Sequence, residues 1–297
     1  MPSGSLGWRH ALLALAVVAV WGTNFVVIKL GLAHLPPLLF ATLRFSFCVF
    51  PAVFFLKRPK VPWLDLAAYG VLIGAGQFGL LYVAMSGHIS PGLASLVVQT
   101  QVFFTIGLSM WLTGERVRTF QWGALGLAAV GVLVIAAHAD GITTPLGLGL
   151  TILAAASWAG GNIVARRSGQ IDMLAFVVWA SLFSVPPLFV MSLIFEGWPA
   201  MAHGVAAASL GTWAAVLYQS VANSLFGYAA WGWLLARHPA ATIAPMSLLV
   251  PVFGMAASAW WLAEPLPAWK LLAAALVMSG LAMNLFWPML SRRLAPA

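Results

Sequence analysis

The sequence predicts an all-α membrane protein of ten transmembrane helices, built as two inverted five-helix repeats. Three observations predict it. Of 297 residues, 62% are hydrophobic and only 7% charged, against about 25% charged in soluble domains, so water cannot wet most of this surface. The chain divides into ten apolar runs, each near the roughly 20 residues that a bilayer crossing needs. A set of polar and charged residues recurs in the same order in the two halves.

The runs lie near 10–32, 36–57, 63–85, 90–112, 120–138, 146–168, 172–195, 208–236, 240–262 and 268–290. The first follows Arg9 and resembles a signal peptide, but it continues past Val26, longer than a signal core of about 7–15 residues, and reads as a retained helix. Pro36-Pro37, Lys57–Lys60, Ser90-Pro91, Gly114–Arg118, Arg166-Arg167 and Arg237–Pro239 mark the principal breaks. The runs do not alternate polar with apolar residues as barrel strands would, so helices satisfy the backbone in lipid.

Net charge +8 invites a nucleic-acid reading, but the cations are few and sit between apolar runs. Eleven of the 14 fall on one side if every run crosses: Arg9, Lys57, Arg58, Lys60, Arg116, Arg118, Arg166, Arg167, Arg237, Arg292 and Arg293. Positive charge stays inside, which places both termini in the cytoplasm. Lys29, Arg44 and Lys270 are left over. The single cysteine, Cys48, excludes a disulfide within the chain.

The repeat is read from matched residues. Asn24 and Lys29 correspond to Asn162 and Arg167, five residues apart in each pair. Gln77 and Tyr82 correspond to Asn223 and Tyr228. Glu115 corresponds to Glu264, and Gly131 and Gly280 each follow sixteen residues later. The expected division is 1–138, 146–290 and a short basic tail, 291–297. Five spans is an odd number, so the second repeat is inverted, a recurrent transporter plan.

Polar side chains inside spans are the candidates for a substrate path: Asn24, Gln77, Tyr82, Gln99, Asn162, Tyr218, Asn223, Tyr228 and Ser247, with Trp158 and Trp179 as aromatic lining. For the amides, glue between helices is the competing role. Arg44 stands alone, about seven residues into the second span. It is either a snorkelling cation or an anchor for a substrate carboxylate near the outer mouth. No metalloprotease, hydrolase or phosphate-loop motif is present, and no paired buried carboxylates, so an enzyme is not expected, nor a metal or cofactor. A channel is the other rival. All six acids and all six histidines lie near span ends or in loops, which favours facilitated movement over proton coupling.

Several segments resemble the drug/metabolite transporter superfamily and its EamA-type exporters: "WGTNFVVIKLGL" (21–32), "LRFSFCVFPAVFF" (43–55), "GLASLVVQTQVFFTIGL" (92–108), "SWAGGNI" (157–163) and "APMSLLVPVFGMAASAWWLAEPL" (244–266). The resemblance runs through most of the chain and is strongest to exporters of O-acetylserine and cysteine, with aromatic amino acid exporters nearby. It implies a central cavity open alternately to each side and efflux of amino acids or related metabolites across the bacterial inner membrane. The partners expected are a small amino acid-like substrate and the lipid bilayer, with no nucleic acid and the oligomeric state left open. One departure stands out: Pro265 follows Glu264, where Arg116 follows Glu115.

Overall fold

The protein was analysed as a computed structural model, which describes residues 7–113, 118–138, 142–169, 171–238 and 240–294. Glu115, Arg116, Asp140, Pro239 and the last three residues of the basic tail lie outside them. Every regular element among the described residues is helical.

Among the described residues, nine helices are long and apolar enough to cross a bilayer unaided: Trp8–Gly31, Pro37–Phe54, Trp63–Met85, Pro91–Leu112, Thr119–Ala137, Pro145–Arg167, Met173–Phe195, Ala244–Trp261 and Ala268–Trp287. These are spans 1 to 7, 9 and 10. Span 8, Leu210–Arg237, joins a preceding helix, Trp198–Ala207, at a bend of 105°, and with that pair the total is ten. Span 8 reaches about 40 Å at 1.5 Å per residue, enough to cross alone. The preceding ten-residue helix is too short to do so, and its sequence gave no separate signal.

Local chemistry sets the span ends. Prolines at the first turn of spans 2, 4 and 6 sit where a helix has no use for the N–H. The Asp172 carboxylate caps span 7, accepting from the Leu174 and Ala175 amides. Glu196 caps span 2 across the fold, with the Leu38 and Leu39 amides at 2.6 and 3.0 Å.

Packing carries the two-fold relation. Span 1 lies along span 9, and span 6 along span 4. Span 3 leans on spans 6 and 7, and span 8 on spans 1 and 2. Spans 2 and 7 face each other, as do 5 and 10. Exchanging each span for its counterpart five later leaves these pairings unchanged, so the two repeats are arranged alike. The matched glycines illustrate this. A side chain on Gly131 would strike Val277 and Leu276, and one on Gly280 would strike the Ala124 carbonyl and Ala128, so each opens one half of the contact between spans 5 and 10.

Spans 3 and 8 share a wide-turned π segment, Leu72–Gly79 and Tyr218–Phe226. Such widening misaligns backbone bonds and recurs at functional sites. In span 8 the Ser224 hydroxyl donates to the Gln219 carbonyl, five residues back, at 3.0 Å. In span 3 the backbone at Gly70 and Gly74 lies so close to Ala180 and Ser184 of span 7 that a Cβ would not fit.

Candidate functional site

Spans 2, 3, 7 and 8 meet around Arg44. Its side chain is fully buried, at 0% exposure, and does not snorkel to the outer surface. Its Nη1 donates to the Tyr82 hydroxyl at 3.2 Å and its Nη2 to Ser224 Oγ at 3.0 Å. The Phe78 ring lies 3.5 Å from the guanidinium carbon, a cation–π contact. The backbone is held too, since Ser220 Oγ donates to the Arg44 carbonyl at 2.9 Å. The network continues from Tyr82, which donates to Gln219 Oε1 at 3.0 Å, to Gln219 Nε2, which donates to the Asn24 carbonyl at 3.4 Å.

A small cavity opens beside the guanidinium, lined on its polar side by Arg44, Tyr69, Ser181, Ser184, Ser224 and Tyr228. It has room for about one water molecule. This conformer is therefore closed around Arg44.

The electrostatics set Arg44 apart. A guanidinium keeps its charge in proteins, and a buried, unpaired charge costs several kcal/mol. Among the described residues no carboxylate pairs with it. Asp65 pairs with Arg167 at the opening of span 3, and Asp172 and Glu196 cap helices. Glu264 holds Lys270 at 2.9 Å, Ser90 Oγ at 2.5 Å and the Gly92 amide at 3.0 Å. Glu264, which Pro265 follows in the sequence, thus finds its cation in Lys270. The Arg44 Nε has no partner, nor do Asn24 Oδ1 and Gln77 Oε1, all three buried.

The other candidates divide. Tyr82 and Tyr228 belong to the Arg44 group. Asn223 is buried on the same π segment, and its carbonyl accepts from Trp21 Nε1 at 3.1 Å. Tyr218 bonds span 1, through Thr23 Oγ1 at 2.8 Å and the Val20 carbonyl at 3.0 Å. Asn162 donates to Gln101 Oε1 at 2.8 Å, joining spans 6 and 4. Gln99 is buried in a 3₁₀ turn within span 4. Trp158 is half-buried against the main core. Trp179 donates to the Leu56 carbonyl at 3.0 Å, just beyond the end of span 2, away from Arg44. Ser247 bonds the Ala244 carbonyl of its own turn at 2.7 Å. Phe78, Ser224, Ser181 and Ser184 join the site without having been singled out. The only sequence signal for Ser224 is the run of polar residues at 218–220 and 223–224.

Comparison with known proteins decides what this scaffold is. The EamA-like transporter family matches the chain twice, over residues 8–137 and 145–286. The chain belongs to the EamA-like transporter family. A protein of Salmonella typhimurium named a probable amino-acid metabolite efflux pump is 43% identical over 284 residues, covering 94% of this chain and 95% of that one. Its counterpart by name in Escherichia coli K12 is 42% identical over the same length. A crystal structure at 18% identity aligns over 97% of this chain and 99% of its own with a TM-score of 0.64, and so shares the EamA fold. The chain is a membrane transporter rather than an enzyme.

Proposed function

We propose that this EamA-family protein exports amino acids or closely related metabolites across the bacterial inner membrane by alternating access, and that Arg44 receives the substrate's carboxylate. The observation that carries this is a fully buried guanidinium that has no acidic partner among the described residues and an Nε without a hydrogen bond. The fork of a guanidinium matches a carboxylate with two parallel bonds, and a cargo anion would supply the missing counter-charge. The names of the Salmonella and Escherichia coli relatives point to the same class of cargo.

Two sets of contacts would have to break in turn for the site to open. The ion pair of Asp65 with Arg167 ties spans 3 and 6, at the end that the positive-inside rule assigns to the cytoplasm. Glu196, after span 7, holds the start of span 2, and Glu264, after span 9, holds the start of span 4, which ties the opposite end. The proposed topology keeps both termini cytoplasmic, and the proposed repeats are 1–138 and 146–290. With no carboxylate or histidine among the site residues, we assign facilitated movement down the substrate gradient.

The experiment is counterflow in liposomes with a panel of twenty radiolabelled amino acids, followed by net flux under an imposed pH gradient. Saturable, stereoselective flux that ignores the pH gradient is expected. Conductance at channel rates, or accumulation abolished by a protonophore, would overturn the respective part.

A further inference from the structure

The charge inventory around Arg44 says more about the cargo than that it is acidic. An amino acid brings an ammonium as well as a carboxylate, and a site that neutralised both would need a carboxylate for the ammonium beside the cation for the carboxylate. Among the described residues only the cation is present. The four described carboxylates are held at helix ends by Arg167, Lys270, amides and hydroxyls, and none lies in the Arg44 cavity. What the interior offers a donor is neutral: the buried, unpartnered amide oxygens Asn24 Oδ1 on span 1 and Gln77 Oε1 on span 3.

From this we infer, resting on the carboxylate reading of Arg44, that the transporter selects a carboxylate and does not require an ammonium, so that N-acylated and desamino acids are cargo as well as free amino acids. A monoanionic carboxylate beside Arg44 leaves the closed site neutral. A zwitterion leaves one positive charge buried there, and a cationic ester leaves two. In a low dielectric each uncompensated charge is costly. A neutral amide N–H satisfies an Asn or Gln oxygen without bringing a charge, and the unpartnered oxygens need only that. Tyr82, Ser224 and the Phe78 face hold the guanidinium in place, so the cargo meets a positioned fork.

The test is competition in proteoliposomes containing the full-length wild-type protein, against counterflow of labelled L-leucine and labelled L-phenylalanine. Each parent is challenged with itself, its N-acetyl derivative, its desamino acid (4-methylpentanoate or 3-phenylpropanoate) and its methyl ester. The N-acetyl and desamino acids are expected to compete within about threefold of the parent or better, and the esters to be weaker by at least about 30-fold, a floor well below the roughly 10⁴-fold or more by which a site built for one polar group can reject its absence. Labelled N-acetyl-leucine is expected to exchange in its own right. If the N-acetyl and desamino acids lose as much as the esters, the ammonium is read and this inference fails while the carboxylate reading stands. If esters compete as well as the acids, or neither parent nor any acid competes, the carboxylate reading itself fails.

Discussion

The two repeats share a skeleton of polar positions but not their charge. Asn24 and Asn162 occupy matched places on spans 1 and 6, yet Asn162 is tied to Gln101 of span 4 while Asn24 keeps an unpartnered buried oxygen. Tyr82 and Tyr228 both belong to the Arg44 group, and both third spans widen into π segments. The guanidinium has no such counterpart. Span 2 carries Arg44, and span 7, facing it, offers Ser181, Ser184 and Ala180 around the same cavity. The first repeat thus holds the cation and the two buried, unpartnered amide oxygens, and the second supplies neutral groups around the cation. The two repeats share one arrangement of spans, and the proposed carboxylate site takes its single charge from the first.

That contrast can be attacked first where the repeats are most alike. Gly131 and Gly280 serve the same contact from opposite sides, so Gly131→Leu and Gly280→Leu should each destabilise the protein by about 1–3 kcal/mol, as overpacking does. Matched losses in melting temperature of the detergent-solubilised variants would support the equivalence; a large loss in one alone would break it.

An opposite pair of effects is expected at the asparagines. Asn162→Leu gives up the bond to Gln101, worth about 0.6–2 kcal/mol between membrane helices, and should melt lower. Asn24→Leu removes a buried oxygen that has no partner, a relief of about 1–3 kcal/mol, and should melt no lower than wild type while transport falls. Equal melting losses at both would mean that Asn24 is glue between helices like its counterpart.

Much of this architecture was legible in the sequence, because lipid imposes one rule on every span. The ten runs meet the observed spans within a few residues, and the repeat surfaced through ordered matches such as Gly131 with Gly280. The helix Trp198–Ala207 was not visible, being apolar yet too short to register as a crossing. The site was read only in outline. Arg44 announced itself as a charge within a span, but sequence cannot tell a cation that snorkels outward from one turned inward, because that depends on which neighbours face it. Ser224 carries no more signal in the sequence than other membrane serines, because a hydroxyl can bond its own backbone. It does so, to the Gln219 carbonyl, and it accepts from Arg44 as well. Trp179 had the look of cavity lining, yet its indole is committed to the end of span 2.

The charge at one end of the site is the claim on which the rest depends, and Arg44 tests it directly. Counterflow should be measured for wild type, Arg44→Gln and Arg44→Lys at matched folded yield, using labelled leucine and phenylalanine across a concentration series. Removing a buried, unpaired charge should leave the fold at least as stable, while Arg44→Gln lowers carboxylate affinity by about 100-fold or more and Arg44→Lys, lacking the fork, recovers only part of it. Arg44→Gln protein that is well folded and transports with unchanged affinity would contradict the assignment.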